Sequence, residues 1–329
     1  MTAVSTEGVS SEPAVIDEIT NVLTSASAVT IFCHTRPDAD TIGSGLALGM
    51  ALARRGAAVQ VSFPPPTQLP EALRELPGVE LLVAPDDVVA TDVAVTVDCA
   101  SVQRIGVLAQ HFESASTRIV IDHHVSNLGY GTVNLVDGES SCTAELILAV
   151  FDSMMVPLDR DLATCLYAGL VTDTGSFKWA SAQAHRTAAR LLDAGVDGRE
   201  LTRRLLDDHQ FCWLTMVSKV LGTAVLVPEA FGGAGLVYAV VDQAASAGMS
   251  WEQSESVVDI VRTTSEAEVA AVFKETAPNR WSVSMRSKSL IDLVPVARHA
   301  GGGGHRHAAG FSVEGTADEV VAAFVATSR

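Results

Sequence analysis

The segment His34–Ser44 carries one imidazole and two carboxylates at spacings that could hold metal ions. His34, Asp38 and Asp40 follow one another closely around Pro37, which restrains the local backbone. Such a mixture of nitrogen and oxygen donors suits borderline cations such as Mn²⁺, and two aspartates two residues apart could serve two different ions. Taken alone, a turn with Asp as a helix N-cap explains the pattern equally well.

Residues of the same types recur after two later runs of β-branched residues. Asp98 ends the run Ala94–Asp98, and Asp122–His124 ends another. Ligands of open parallel sheets bind outside the carboxyl ends of the strands, so we expect these groups to converge. Asp173 is a further candidate, although a helix end with Gly175 as its turn residue accounts for that segment as well.

Together these side chains predict a site for two divalent cations. In two-metal hydrolases the ions lie about 3.5–4 Å apart and share a carboxylate. The candidate ligands are His34, Asp38, Asp40, Asp98, His123 and Asp173.

The elements that must position these residues alternate between strands and helices, which predicts an α/β fold with a parallel sheet. The predicted strands of the first half are Val29–Cys33, Ala57–Phe63, Val93–Asp98 and Arg118–Asp122. Its predicted helices are Thr41–Arg55, Cys142–Met154 and Arg160–Thr172, the last with Asp159 as its cap. A charged, helix-rich stretch follows, and then strands at Gly235–Val241, Glu268–Lys274 and Trp281–Arg286 with helices at Trp251–Ile260, Leu290–Arg298 and Ala317–Thr327.

We therefore predict a disordered tail and two α/β domains joined by a helical connector. The predicted divisions are a tail at 1–14, a catalytic metal-binding domain at 15–182, the connector at 183–214 and a smaller substrate-binding domain at 215–329.

Composition narrows the class of protein. The 329 residues are 48% hydrophobic, but no apolar run is long enough to span a bilayer, so we expect a cytoplasmic protein without a membrane partner. The five cysteines are scattered and form no Cys-x-x-Cys pair, which favours reduced thiols. The net charge of −17 disfavours extended contacts with long nucleic acid, although many ordinary soluble proteins are also acidic.

The motifs together resemble those of the DHH phosphoesterases, which are named for the triplet that is Asp122–His124 here. The second half resembles the DHHA1 domain through Gly302–Gly310, preceded by Arg286 and its neighbours. The resemblance implies two divalent cations, with Mn²⁺ as the expected metal, Asp98 as their bridging ligand and Asp122 as the residue that orients His123. It makes His124 the candidate general acid at the substrate phosphate. The implied substrate-binding residues are Arg286, Ser287, Lys288, Gly303, Gly304 and His305.

The resemblance also implies a metal-dependent phosphodiesterase of the oligoribonuclease and 3′-phosphoadenosine-5′-phosphate (pAp) phosphatase type. Its substrates would be short RNA, pAp, the dinucleotide pApA or cyclic di-AMP. We expect a cleft between the two domains whose size selects short ligands. Two alternatives remain: an enzyme resembling manganese inorganic pyrophosphatase, and an inactive nucleotide sensor on the same fold. The sequence does not decide among these substrates, the metal used in the cell, the role of His307, or the oligomeric state, for which a homodimer is one option.

Overall fold

The computed structural model describes residues 12–328 and divides the chain into two compact units. The first unit ends at Asp208 and the second begins at His209. This division falls within the predicted connector 183–214. Most of the predicted tail 1–14 lies outside the described residues, and the first described element is a helix, α1 (Glu12–Ser25).

The first unit contains a sheet flanked by helices. Its strands are β1 (Ala28–Phe32), β2 (Ala58–Ser62), β3 (Val93–Val97), β4 (Thr117–Asp122) and β5 (Val133–Val136). After α1, its helices are α2 (Ala39–Arg54), α3 (Ala109–Ser114), α4 (Thr143–Ser153), α5 (Arg160–Asp173), α6 (Ala182–Asp193) and α7 (Gly198–Thr202). Short 3₁₀ turns lie at Ala72–Glu75, Val79–Leu81, Pro85–Asp87 and Val102–Leu108, and a π-helical turn at Arg203–Asp207.

The strands of this sheet run parallel in the order β2-β1-β3-β4-β5 among the described residues. Neighbouring residues of one strand enter different cores: Ile31 belongs to the core that includes residues of α2, α4 and α5, whereas Phe32 packs with Phe112 of α3. Both faces are therefore buried, which explains why these strands read as continuous apolar runs. The predicted α/β fold with a parallel sheet is confirmed.

Glycines allow α2 and α5 to approach one another closely. A Cβ atom at Gly43 would lie 2.2 Å from the carbonyl oxygen of Cys165, and one at Gly169 would lie 2.4 Å from Oδ1 of Asp40. The space beside Gly43 is therefore occupied by α5. The close packing fixes the helix that carries Asp40.

The second unit contains a mixed sheet. Its strands are β6 (Val225–Val227), β7 (Leu236–Val241), β8 (Val269–Ala277), β9 (Arg280–Ser287), β10 (Gly303–His305) and β11 (Ala308–Glu314), in the order β10-β11-β9-β8-β7-β6 among the described residues. Its helices are α8 (Phe211–Leu221), α9 (Ala230–Gly233), α10 (Trp251–Glu255), α11 (Val257–Val261), α12 (Val294–His299) and α13 (Ala317–Thr327). Within residues 12–328, none of the helices has the length and apolar character that crossing a bilayer requires.

Candidate metal centre

Asp98 lies at the centre of a group of imidazole and carboxylate side chains in the first unit. Its Oδ2 lies 3.4 Å from Nε2 of His34, and its Oδ1 lies 3.4 Å from Nε2 of His123. Only 3% of the Asp98 side chain is exposed. A single buried carboxylate thus faces two imidazoles with its two oxygens, as a ligand shared by two cations would.

The remaining candidate ligands surround these two imidazoles. Nε2 of His34 lies 3.3 Å from Oδ2 of Asp38, while Nε2 of His123 lies 3.2 Å from Oδ2 of Asp173 and 3.9 Å from Oδ2 of Asp40. Two sets of donor atoms have only Asp98 in common. His34, Asp38 and Asp98 form one set, and Asp40, Asp98 and His123 form the other. Within each set, the donor atoms lie within 4.8 Å of one another. The structure therefore brings all six predicted ligands together.

The backbone places Asp98 by an uncommon conformation. Asp98 directly follows β3, and its φ of 58° lies in the left-handed region. Non-glycine residues in such regions cost on the order of 1–3 kcal/mol and persist where surrounding contacts hold them, often at functional sites. Here the amide of Asp98 donates to the carbonyl of Ile121, a 3.0 Å hydrogen bond to the neighbouring strand.

The start of α4 holds two of the candidate ligands. The amides of Thr143 and Ala144 donate to the carboxylate of Asp40 at 2.7 and 3.0 Å, and the hydroxyl of Thr143 donates to Oδ1 of Asp98 at 3.1 Å. Amide groups in the first turn of a helix lack partners within the helix and bind anions readily. Sequence reasoning missed Thr143. Its position at the predicted start of a helix was the available signal.

The charges within this group favour the binding of a cation. Burial and the carboxylates of Asp98 and Asp173 raise the pKa of Asp40 well above its usual range. Burial and the positive charge of Arg104 oppose protonation of His34, but the carboxylates of Asp38 and Asp98 together outweigh them and raise the pKa of His34 to about 9. Protons thus compensate the clustered carboxylates. A divalent cation would take over this compensation, and the mixed donor set fits one.

The contacts of Asp122 correct one expectation. Asp122 was predicted to orient His123, but its Oδ1 accepts from Nδ1 of His124 at 2.8 Å, and Asn127 donates to its Oδ2 at 2.6 Å. Nδ1 of His123 instead lies 3.3 Å from the carbonyl oxygen of Ser140. Side chains two residues apart in an extended chain lie on the same side, whereas adjacent side chains lie on opposite sides. This alternation explains why Asp122 pairs with His124 and not with His123.

The predicted substrate-binding residues lie in the second unit, where neighbouring strands bring most of them together. Arg286 of β9 is paired in register with Ala308 of β11, which in turn is paired with His305 of β10. Nε of Arg286 lies 3.9 Å from Oδ1 of Asp259. The ammonium group of Lys288, however, donates to the carbonyl oxygens of Thr264 and Ser265. This lysine therefore stabilises the loop that contains these two residues.

The glycines beside His305 also have a structural role. A Cβ atom at Gly302 would lie 2.1 Å from the carbonyl oxygen of Gly310, and one at Gly304, whose φ is +136°, would lie 2.5 Å from that of Ala308. Close approach of β10 to β11 therefore explains part of the glycine run. An amide of Gly303 or Gly304 that donates to β11 is not available for a phosphate. The role of these two glycines in substrate binding stays a prediction.

Comparisons with known proteins agree with this architecture. Residues 28–170 match the model of the DHH family, N-terminal domain, and residues 233–328 match that of the DHHA1 domain. A protein of Thermus thermophilus named bifunctional oligoribonuclease and PAP phosphatase NrnA is 34% identical over 87% of this chain and 84% of its own length. One of the same name from Mycoplasma pneumoniae is 25% identical over 90% of each chain.

A solved structure has the same fold over nearly the whole chain. It is that of an exopolyphosphatase-related protein from Bacteroides fragilis, with a TM-score of 0.83 and 24% identity, and the match covers 95% of this chain and 94% of the other. Both domain models, the identity to the Thermus protein and the two observed units lead to the same assignment. This chain belongs to the DHH family and carries the DHHA1 domain that was expected from its second half.

Proposed function

We propose that this protein is a two-metal phosphoesterase that hydrolyses very short oligoribonucleotides and small nucleotide phosphates to mononucleotides. The observation that carries the proposal is the position of Asp98, whose two oxygens each face one of two donor sets. The name of the Thermus relative, an oligoribonuclease and PAP phosphatase, supports the substrate class. Cyclic di-AMP is a further candidate substrate because it yields pApA when one of its phosphodiester bonds is hydrolysed.

Each ion would have its own ligands besides the shared Asp98. His34 and Asp38 would hold one ion, with Mn²⁺ as the expected metal, and the second would be held by Asp40, His123 and Asp173. Bound divalent cations lower the pKa of water and neutralise the charge that develops on phosphoryl oxygens.

The neighbouring residues would serve the substrate. Asp122 accepts a hydrogen bond from Nδ1 of His124, so a proton given by this ring to the leaving oxygen would come from Nε2. Arg36 lies on the turn between His34 and Asp38, and both burial and the positive charge of Arg104 lower its pKa. Arg104 borders the same turn, because its carbonyl oxygen accepts from the amide of Thr35 at 2.8 Å. Guanidinium groups at these two positions would attract a phosphate.

Product analysis on three nucleotides tests the proposal. The purified full chain with Mn²⁺ should convert pAp to AMP and phosphate, pApA to two AMP, and cyclic di-AMP to pApA and then AMP, with chromatography to separate the products. Asp173→Asn serves as the control variant because it keeps the shape of the side chain and removes a charged ligand. Failure of the wild-type protein to form a mononucleotide from pAp and from pApA would contradict the proposal.

A further inference from the structure

The segment after Asp173 presents an aromatic ring beside the metal centre. Trp179 is 48% exposed, and its indole Nε1–H donates to the carbonyl oxygen of Asp173 at 2.7 Å. The other aromatic residue of the segment, Phe177, packs with Tyr167 and stacks on His185. The segment therefore leaves the side chain of Trp179 accessible next to a candidate ligand.

A constrained turn holds Trp179 in this position. Gly175, Ser176 and Phe177 have consecutive positive φ values of 55°, 58° and 66°. The amides of Gly175 and Ser176 donate to carbonyl oxygens of the last turns of α5, those of Thr172 and Val171. The left-handed conformations of Ser176 and Phe177 cost free energy, and residues of this kind cluster at active sites and ligand clamps.

The indole ring lies against the backbone of the same turn. A Cβ atom at Gly175 would lie 2.0 Å from Cη2 of Trp179 and 2.3 Å from Cζ2, so only glycine fits beneath the ring. The ring is thus held by packing on Gly175 and by its hydrogen bond to Asp173. An aromatic surface fixed before binding loses little conformational freedom when a planar ligand stacks on it.

We propose that Trp179 is a nucleobase-binding residue whose indole ring stacks on the base of the nucleotide held at the metal centre. The inference rests on the proposed function, because it concerns the same site. It adds that the first unit recognises the base as well as the phosphate. Stacking on an aromatic ring tolerates different bases, since every base has a π-face, so Trp179 confers a preference for nucleotides without selecting adenine.

Substitutions of Trp179 separate stacking from packing. Trp179→Leu should raise KM for pApA roughly tenfold with kcat little changed, whereas Trp179→Phe should stay within about threefold of wild type because it keeps an aromatic face. KM for a 5′-phosphorylated abasic dinucleotide should be the same in all three proteins. Equal KM values for pApA in the wild-type and Leu proteins, an equal rise for the abasic substrate, or a loss of bound Mn²⁺ in the Leu variant would overturn the inference.

Fluorescence gives a readout that does not depend on hydrolysis. Titration with AMP in the presence of Mn²⁺ should quench tryptophan emission of the wild-type protein, and the quenching should be absent in Trp179→Phe but retained in the control variant Trp213→Phe. Ribose 5-phosphate should cause no quenching. Quenching that survives in Trp179→Phe would contradict base stacking on Trp179. Quenching of the wild-type protein by AMP without hydrolysis of any nucleotide would support base binding at Trp179 and contradict only the proposed function.

Discussion

The hydroxyl oxygen of Ser287 lies 2.9 Å from Nδ1 of His307, and the amide of Ser287 donates to the carbonyl oxygen of His307 at 3.0 Å. The hydroxyl hydrogen of Ser287 is already used, because it is donated to the carbonyl oxygen of Ile291 at 2.7 Å. Nδ1 of His307 must therefore carry a proton and donate it to Ser287. This pair joins the segment that follows Arg286 to the segment that follows His305.

His307→Ala should raise KM for pApA about two- to tenfold, because a typical hydrogen bond contributes about 0.5–1.5 kcal/mol and its loss would loosen the residues that flank Arg286. Ser287→Ala should have a similar effect, and the double variant should be no worse than either single one. Steady-state kinetics on the four proteins checks this, with Arg306→Ala as the neighbouring control. Additive losses in the double variant would mean that the two side chains act independently.

Arg286→Ala and His305→Ala should chiefly raise KM and leave the Mn²⁺ content unchanged, because both residues lie in the second unit whereas all six candidate ligands lie in the first. Arg280→Ala is the matched control, since Arg280 lies at the other end of the same strand and pairs with Glu314. Kinetics and metal analysis on the same preparations provide the measurement. Loss of bound Mn²⁺ from the variants would show that the second unit helps to build the metal site.

Thr143→Val should lower kcat/KM or metal affinity by about ten- to a hundredfold, the usual effect of removing a residue that orients a metal ligand. The substitution keeps the shape of the side chain but removes the hydroxyl that donates to Asp98. Thr143→Ser, which retains the hydroxyl, should remain close to wild type. If the Val and Ser variants were equally active, the hydrogen bond to Asp98 would have no part in positioning the ligand.

Residues whose local pattern decides their structure could be predicted from the sequence. The strands that lead to Asp98 and Asp122 are β-branched runs buried on both faces, and they were expected within one residue of their observed bounds. The final helix has its predicted bounds, Ala317–Thr327, since Thr316 and Glu319 form a capping box at its start. Candidate ligands at the ends of such strands could be found because the sheet is parallel.

Features that depend on contacts between distant segments could not be predicted. The strand at Gly303–His305 has no β-branched residue, and it forms because glycines allow its backbone to approach β11. Thr143 contacts Asp40, which is 103 residues earlier in the chain, so no local pattern reveals their pairing. The helix α1 and the strand β5 were also missed. The partner of Asp122 was misassigned even though His124 lies only two residues away.

Activity should fall steeply as the substrate lengthens. A long strand would have to cross a protein whose net charge is −17, without the basic surface that neutralises successive phosphates. The measurement is kcat/KM for 5′-phosphorylated oligoadenylates of increasing length at constant salt, with the dinucleotide as the reference. A profile that stays flat or rises with length would favour a long-strand exonuclease.

The turnover of pApA by Asp98→Asn at saturating Mn²⁺ tests the central claim most directly. Asn keeps the shape of the side chain but removes the charge that would bind both cations, so kcat should fall on the order of a thousandfold or more, which corresponds to about 4 kcal/mol of transition-state stabilisation. Circular dichroism on the same sample would confirm that the variant is folded. A folded variant that turns over pApA within about tenfold of the wild-type rate would contradict a two-metal centre bridged by Asp98.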